Sequence, residues 1–167
     1  MAGIYDIRKH LAKGVKRIGL VAHDNRKKEL IEWVEYNYKS LIGHQLICTG
    51  TTGKLVEEAI KNKLEPGESI PYEIIILKSG PLGGDQQLGT LITEGFIDIF
   101  IFLWDPMTPQ PHEVDVKALL RISVLYNVPT ADNRSTADFL VSSPLFSGKY
   151  KPMIGNFKSY IDRKIEY

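Results

Sequence analysis

The 167-residue chain carries 21 Lys and Arg against 20 Asp and Glu, a net charge of +1, and is 43% hydrophobic and 25% charged. This balance is typical of a globular protein and argues against the strong electrostatic field of a nucleic-acid- or membrane-binding protein. Cys48 is the single cysteine and cannot form an internal disulfide, and neither a secretory leader nor a membrane-spanning run is visible, so we expect a cytoplasmic protein.

Apolar runs alternate with helical patterns along most of the chain. Residues 1–15 lack periodicity and are predicted to form an arm ahead of one folded domain, residues 16–167. Continuous apolar runs, typical of strands covered on both faces, predict strands at 18–22, 45–48, 73–77, 97–103 and 128–131. Apolar residues at helical spacing predict helices near 25–38, 55–60, 85–94, 114–125 and 136–141. The tail, from about 145 to 167, is too apolar to be a free end and should pack on the domain or on a neighbouring subunit.

This alternation predicts a single-domain, three-layer α/β fold: a doubly wound, mostly parallel five-stranded sheet with helices on both faces. Ligands of such sheets bind beyond the carboxyl ends of the strands. Hydroxyls, glycines, carboxylates and two histidines follow four of the predicted strands, so we expect them to converge on one site. They are His23, Asp24, Lys27, Thr49, Gly50, Thr51, Thr52, Ser79, Gly80, Asp85, Asp105, His112 and Asp115.

A glycine-rich turn, residues 79–87, lies between the third predicted strand and the third predicted helix. Glycines let a ligand approach the backbone closely, and the amides of such a turn favour an anion. Asp85 is the one acid there and lies where the helix should begin. Taken alone, an acid at that position is more often a helix N-cap than a catalytic group.

A second candidate for anion binding is the run from Thr49 to Thr52 at the start of the second helix. Hydroxyls and amides at a helix N-terminus complement an oxyanion, although the spacing is not that of a Walker A loop and an ordinary threonine cap is an equal alternative. Lys27 in the first turn of a helix opposes the macrodipole, and a bound anion would remove that conflict. The alternative is that Lys27 belongs to a solvated basic run with its two neighbours.

His112 and Asp115 are three residues apart at the start of the fourth helix, so the carboxylate could orient the imidazole. Asp105 ends the fourth strand, where a second acid of the site would lie. The candidate acids and histidines could in principle hold a divalent metal, but they lack a tight ligand spacing, and metal-free acid–base catalysis is favoured.

Several longer motifs resemble methylglyoxal synthase, in the same order along the chain. They are residues 21–24 (VAHD), 49–53 (TGTTG), 79–87 (SGPLGGDQQ), 102–106 (FLWDP), 111–112 (PH), 115–121 (DVKALLR) and 136–139 (TADF). The resemblance covers roughly residues 16–146. It implies a methylglyoxal synthase-like, Rossmann- or flavodoxin-like fold and a cytoplasmic homohexameric lyase that needs no cofactor.

The resemblance also implies a reaction and roles for the residues. Dihydroxyacetone phosphate would be converted to methylglyoxal and inorganic phosphate, which would also act as an inhibitor. Asp85 would be the catalytic base, His112 a hydrogen-bond donor oriented by Asp115, and Asp24 and Asp105 would organise His23 and Asp85 or relay the proton. The residues expected to bind the substrate or its phosphate are His23, Lys27, Thr49, Gly50, Thr51, Thr52, Ser79, Gly80 and His112.

The chain departs from the family in three places: a longer N-terminal arm, a charged loop at 61–72 that resembles an insertion, and the tail. In the tail, Arg163 is the candidate for an arginine that reaches a neighbouring subunit's phosphate site, with Lys164 next to it. Two alternatives to the lyase remain: a non-catalytic effector-binding module of the same fold, which would not need Asp85, His112 and Asp115 together, and a metal-dependent phosphohydrolase, which a chelator would inactivate.

Overall fold

The computed structural model of the chain describes residues 11–163. Within that range, five strands form one sheet in the order β3-β2-β1-β4-β5, and every pairing is parallel. The strands are β1 (Arg17–Ala22), β2 (Gln45–Thr49), β3 (Ile75–Leu77), β4 (Ile99–Leu103) and β5 (Thr130–Ala131). The helices are α1 (Lys27–Leu41), α2 (Gly50–Lys63), α3 (Gly84–Thr93), α4 (Glu113–Leu125), α5 (Arg134–Ser142), α6 (Pro144–Ser147) and α7 (Lys158–Ile161).

Helices cover both faces of the sheet, as the predicted three-layer fold requires. On one face α1, α2 and α5 bury apolar side chains such as Trp33, Val56 and Ala137. On the other face α3 and α4 do so with Leu91 and Leu119. Because the sheet is covered on both sides, β2 and β4 consist wholly of buried residues.

The sheet grows in two directions from β1, which places a crevice at its carboxyl edge. The chain runs outward from β1 through β2 to β3, and then returns to pair β4 with the other side of β1, in the register Val21↔Phe102. Helical connections therefore leave for opposite faces at the carboxyl ends of β1 and β4. This is the switch point at which ligands of doubly wound sheets bind.

The predicted strands at the two sheet edges are too long. β3 begins at Ile75 and β5 at Thr130, because an edge strand has a neighbour on one side only and its ends need not pair. The predicted start of β4 at residue 97 is also too early. Asp98, just before the strand, is turned to accept a hydrogen bond of 2.7 Å from the backbone N–H of Arg17.

The described part of the tail packs on the domain at two points. Phe146 is buried against His44, with ring centroids 5.5 Å apart, and Phe157 contacts Tyr126 at 5.7 Å. Ile161 in α7 is exposed. The first ten residues of the predicted arm and Lys164 lie outside the described residues. None of the helices between residues 11 and 163 is long and apolar enough to span a bilayer.

Candidate active site

A cavity of about 270 Å³ opens at the carboxyl edge of the sheet. Eleven of the thirteen predicted site residues line it, brought together from the ends of β1, β2 and β3 and from the loop after β4. They are His23, Asp24, Lys27, Thr49, Gly50, Thr51, Thr52, Ser79, Gly80, Asp85 and His112. The other two, Asp105 and Asp115, lie outside this lining and act on His23 and Asp85 within it.

Asp85 is a buried carboxylate in the first turn of α3. The helix begins at Gly84 and is capped by Gly83, whose φ of +100° is in the left-handed region that favours glycine. The interpretation of Asp85 as an N-cap is therefore wrong. Asp85 is 4% exposed, and its Oδ2 has no hydrogen-bond partner among residues 11–163. Burial raises the pKa of Asp85, the nearby Asp115 raises it further, and His112 opposes the shift.

Gly80 lets two functional side chains meet. A Cβ at this position would lie 2.8 Å from Nε2 of His112 and 3.3 Å from both carboxylate oxygens of Asp85. Any side chain here would occupy the space between the imidazole and the carboxylate. The glycine is thus required by the geometry of the site rather than by the turn alone.

His112 faces Asp85 and not Asp115. Its Nε2 lies 3.5 Å from Oδ2 of Asp85, while its Nδ1 is buried without a hydrogen-bond partner in the described chain. The expectation that the Asp115 carboxylate orients this imidazole is therefore wrong. The ring is turned toward the glycine-rich turn, where Gly80 leaves room for it beside Asp85.

His23 is held by a backbone group of the loop after β4. The N–H of Asp105 donates to Nδ1 of His23 at 3.2 Å, and Nε2 of His23 is buried with no partner in the described part of the molecule. Burial lowers the pKa of His23 and the nearby His112 lowers it further, while Asp105 and Glu113 oppose the shift. A neutral imidazole that accepts at Nδ1 carries its proton on Nε2, so His23 is a hydrogen-bond donor at the cavity.

Asp105 therefore organises His23 with its N–H and not with its carboxylate. Oδ1 accepts from the backbone N–H of Met107 at 3.0 Å, and Oδ2 accepts from the Asn25 amide at 2.9 Å. These hydrogen bonds, Asn25 first, hold the pKa of the buried Asp105 carboxyl at about 2. Asp105 is consequently an anion that secures the loop after β4.

Lys27 is the first residue of α1, and its ammonium reaches the cavity. Nζ donates to Oδ1 of Asp24 and, at 2.7 Å, to Oγ1 of Thr51. Asp24 thus relieves part of the conflict between this cation and the helix dipole, and the lysine lowers the pKa of Asp24. The Asp24 side chain is 92% exposed, so its direct contact in the site is with Lys27.

The threonine run forms the N-terminus of α2 at the cavity. Thr49 and Thr52 are buried, and the Thr49 side chain makes no capping hydrogen bond to a described residue. Gly50 has a φ of +38°, and a Cβ there would lie 2.8 Å from Cα of Ser79. Close packing of these two loops thus directs the amides of α2 and the hydroxyls toward the cavity, where they complement an oxyanion.

Five further residues that were not among the predicted site residues line the cavity: Val21, Ala22, Pro81, Phe102 and Gln110. Val21, Ala22 and Phe102 belong to strands, and their apolar side chains are typical of a buried core. Gln110 gave a weak sequence signal for a site residue, because it is polar and lies two positions before His112 in a loop rich in proline. Within residues 11–163, no group of three His, Cys, Asp or Glu side chains is arranged to hold a metal ion.

Comparison with known proteins identifies the same family as the motifs. The MGS-like domain family matches residues 29–131. A methylglyoxal synthase of Maridesulfovibrio salexigens is 57% identical over 154 residues, 90% of this chain and 98% of that protein. One from Oleidesulfovibrio alaskensis is 51% identical over 151 residues, 90% of this chain and 97% of that protein.

A solved structure agrees with the family match and with these two relatives. The crystal structure of methylglyoxal synthase from Elizabethkingia anophelis superposes with a TM-score of 0.81 at 46% identity, covering 92% of this chain and 94% of that one. The chain therefore belongs to the methylglyoxal synthase family of lyases.

Proposed function

We propose that this chain converts dihydroxyacetone phosphate to methylglyoxal and inorganic phosphate, with Asp85 as the base. One observation carries the proposal: a buried carboxylate with a raised pKa faces the same cavity as a lysine, several hydroxyls and a helix N-terminus. The reaction needs a base next to an anion-binding site, and this cavity supplies both. Family membership supports the same substrate.

The phosphate group would bind at the end of the cavity formed by the N-terminus of α2. Thr49 to Thr52 contribute hydroxyls and amides there, Ser79 and Gly80 close the opposite side, and Lys27 supplies a positive charge. Hydrogen bonds in which one partner is charged are stronger than those between two neutral groups. Because Lys27 is already ordered by Asp24 and Thr51, little freedom is lost when the anion binds.

Asp85 would then remove a proton from the hydroxymethyl carbon beside the carbonyl. An aspartate in water is a feeble base, and the burial that raises the pKa of Asp85 increases its basicity. The negative charge that develops on the carbonyl oxygen would be stabilised by N–H donors of His112 and His23, which line the same cavity.

Loss of phosphate completes the reaction. The hydroxyl on the deprotonated carbon gives up its proton and becomes the aldehyde carbonyl, the double bond shifts toward the phosphate-bearing carbon, and the C–O bond of that carbon breaks. The phosphate leaves with this oxygen and accepts the released proton, as inorganic phosphate. The remaining enolate takes up a proton on its terminal carbon and becomes methylglyoxal. Lys27 and the N-terminus of α2 would stabilise the charge that grows on the leaving group, because they bind it more strongly as that charge increases.

The direct test is incubation of the purified protein with dihydroxyacetone phosphate in the presence of a chelator. We expect methylglyoxal and phosphate to form in equal amounts, detected by derivatisation of the dicarbonyl and by ³¹P NMR. Glyceraldehyde 3-phosphate as product would indicate an isomerase instead. Loss of activity with chelator, and its return with added metal, would indicate a metal-dependent phosphohydrolase.

We also propose that the enzyme is a cytoplasmic homohexamer that inorganic phosphate inhibits, with Arg163 as the residue that reaches a neighbouring phosphate site. Exposed aromatic side chains support self-association: Tyr36 on α1 is 85% exposed and Phe139 on α5 is 79% exposed, on opposite sides of a groove. In the monomer Arg163 stacks on Tyr160, 3.7 Å from the ring centroid. Light scattering should give about 113 kDa, six times the 18.9 kDa chain.

A non-catalytic effector module of the same fold is less well supported. Such a module needs the N-terminus of α2 and Lys27, but it has no use for a buried carboxylate facing an imidazole at 3.5 Å. Binding of phosphate without any turnover of dihydroxyacetone phosphate would favour the module.

A further inference from the structure

Asn25 lies in the 3₁₀ turn between β1 and α1 and connects that turn to the loop after β4. Its amide nitrogen donates to Oδ2 of Asp105 at 2.9 Å and to Oγ1 of Thr108 at 3.0 Å. The connection spans about 80 residues of sequence and joins the two sides of the switch point. Both protons of the amide are used, so the contact fixes the loop in two places.

The carboxylate that accepts from Asn25 belongs to Asp105, the residue whose backbone N–H donates to His23. Asp105 is 5% exposed, with one oxygen on Asn25 and the other on the N–H of Met107. An ionised carboxylate can only accept hydrogen bonds, so it cannot meet Nδ1 of His23, which is itself an acceptor. The group of Asp105 that does so, at 3.2 Å, is its backbone N–H.

We propose that Asn25 is a positioning residue: by tying Asp105 and Thr108 to the turn after β1, it keeps the Asp105 N–H on Nδ1 of His23 and so holds the imidazole as an Nε2–H donor at the cavity. An imidazole without this contact could exchange to the other tautomer, which would offer a lone pair to the substrate oxygen in place of a proton. The proposal rests on the proposed function for the use of that donor, but the tautomer itself is a property of the resting protein.

The first experiment reads the tautomer without any substrate. In protein labelled with ¹⁵N-histidine, a long-range ¹H–¹⁵N spectrum should show His23 as a single form with the proton on Nε2. In Asn25→Ala we expect exchange between the two tautomers. Asn37→Ala is the matched control, because Asn37 donates to the Trp33 carbonyl within α1 and has no contact with the loop after β4. A single Nε2–H form retained in Asn25→Ala would overturn the proposal.

The second experiment reads the consequence for turnover. Loss of one oriented donor should lower kcat about 10-fold in Asn25→Ala, with less change in KM, because the donor is needed most as charge develops. Asn25→Asp keeps the shape but places a carboxylate against Asp105, and only its protonated form can donate. The activity of Asn25→Asp relative to Asn25→Ala should therefore rise as pH falls, and a flat ratio would contradict the use of the hydrogen bond from position 25.

These two readouts separate the inference from the proposed function. If the wild-type protein does not turn over dihydroxyacetone phosphate, the spectrum of His23 still tests the positioning by Asn25. If turnover is present and both the tautomer and kcat are unchanged in Asn25→Ala, the inference fails and the proposed function stands. Thermal unfolding of each variant checks that the fold is retained.

Discussion

Nε2 of His112 lies 3.5 Å from Oδ2 of Asp85 across the opening that Gly80 leaves between them. The imidazole and the carboxylate come from different connections of the sheet, one after β4 and the other after β3. Their approach places an imidazole beside a buried carboxylate with a raised pKa. This pair is what distinguishes the cavity from a simple phosphate site.

Replacing Asp85 with Asn should abolish most of the turnover. The amide has nearly the same shape but cannot accept a proton from carbon, so we expect kcat to fall by about 10²- to 10⁴-fold. Binding of a phosphate analogue such as phosphoglycolate, measured by calorimetry, should change little, because Lys27 and the N-terminus of α2 are untouched. Turnover near the wild-type rate would contradict the assignment of the base.

The pH at which kcat/KM falls on the acid side of its pH profile should depend on Asp115. As the proposed base, Asp85 would act when deprotonated. Burial and the nearby Asp115 raise its pKa, so kcat/KM should rise with pH through a midpoint above 3.8, the ordinary value. Asp115→Asn removes one of the two causes and should move that midpoint to lower pH.

The matched control for that shift is Glu113→Gln in the same turn of α4, because the charge of Glu113 acts on His23 and not on Asp85. Its acid limb should coincide with that of the wild type. An acid limb that is the same in all three proteins would show that Asp115 has no such effect.

A methyl group at Gly80 should separate the pair. Gly80 does not have a positive φ, so alanine fits the backbone, but its Cβ would lie 2.8 Å from Nε2 of His112. A displacement of about 1 Å can cost about 10²-fold in rate, and we expect a loss of that order in Gly80→Ala. Gly89→Ala in α3 is the control: its Cβ has no neighbour within 4 Å, so activity should be unchanged and stability slightly higher.

The location of the site could be predicted from sequence because it depends on topology alone. In a parallel sheet the residues that follow successive strands must share one edge, so Thr49, Ser79 and Asp85 could be assigned to it without coordinates. The fold could also be predicted, because the apolar runs of buried strands alternate with the periodic patterns of amphipathic helices along the sequence. The lengths of β3 and β5 were predicted wrongly because each strand pairs on one side only, and the start of β4 was predicted two residues too early.

The hydrogen bonds within the site could not be predicted in the same way. The partner of His23 is a backbone N–H 82 residues away, and it depends on the register that sets Ala22 opposite Leu103. The ring of His112 faces Asp85 and not its near neighbour Asp115, because the space left by Gly80 decides its direction. Sequence spacing indicates which residues share a helix face, but side-chain direction is set by packing from other elements.

Lys27 should contribute to binding and to the departure of phosphate. Lys27→Ala removes an ammonium that bonds Thr51 at 2.7 Å, and we expect kcat/KM to fall roughly 10- to 100-fold, the value of one or two charge-assisted hydrogen bonds. Affinity for inorganic phosphate should fall as well. The adjacent Lys28 is exposed and outside the cavity, so Lys28→Ala should behave as the wild type. Equal losses of kcat/KM in both variants would mean that the overall positive charge of this region, and not the position of Lys27, promotes the reaction.

Asp105 should make the stability of the protein sensitive to acid. Its pKa is about 2 in the folded state, below the ordinary 3.8, so its contribution is complete above about pH 4 and is lost as pH falls toward 2. In Asp105→Asn the amide cannot accept from Asn25 and Met107 as the carboxylate does, and Tm at pH 7 should be lower than in the wild type. The difference in Tm between the two proteins should then narrow as pH is lowered from 4 toward 2. Glu57→Gln, which removes an exposed pair with Lys61, should change Tm little at either pH, and a constant gap between wild type and Asp105→Asn would contradict the role of the charge.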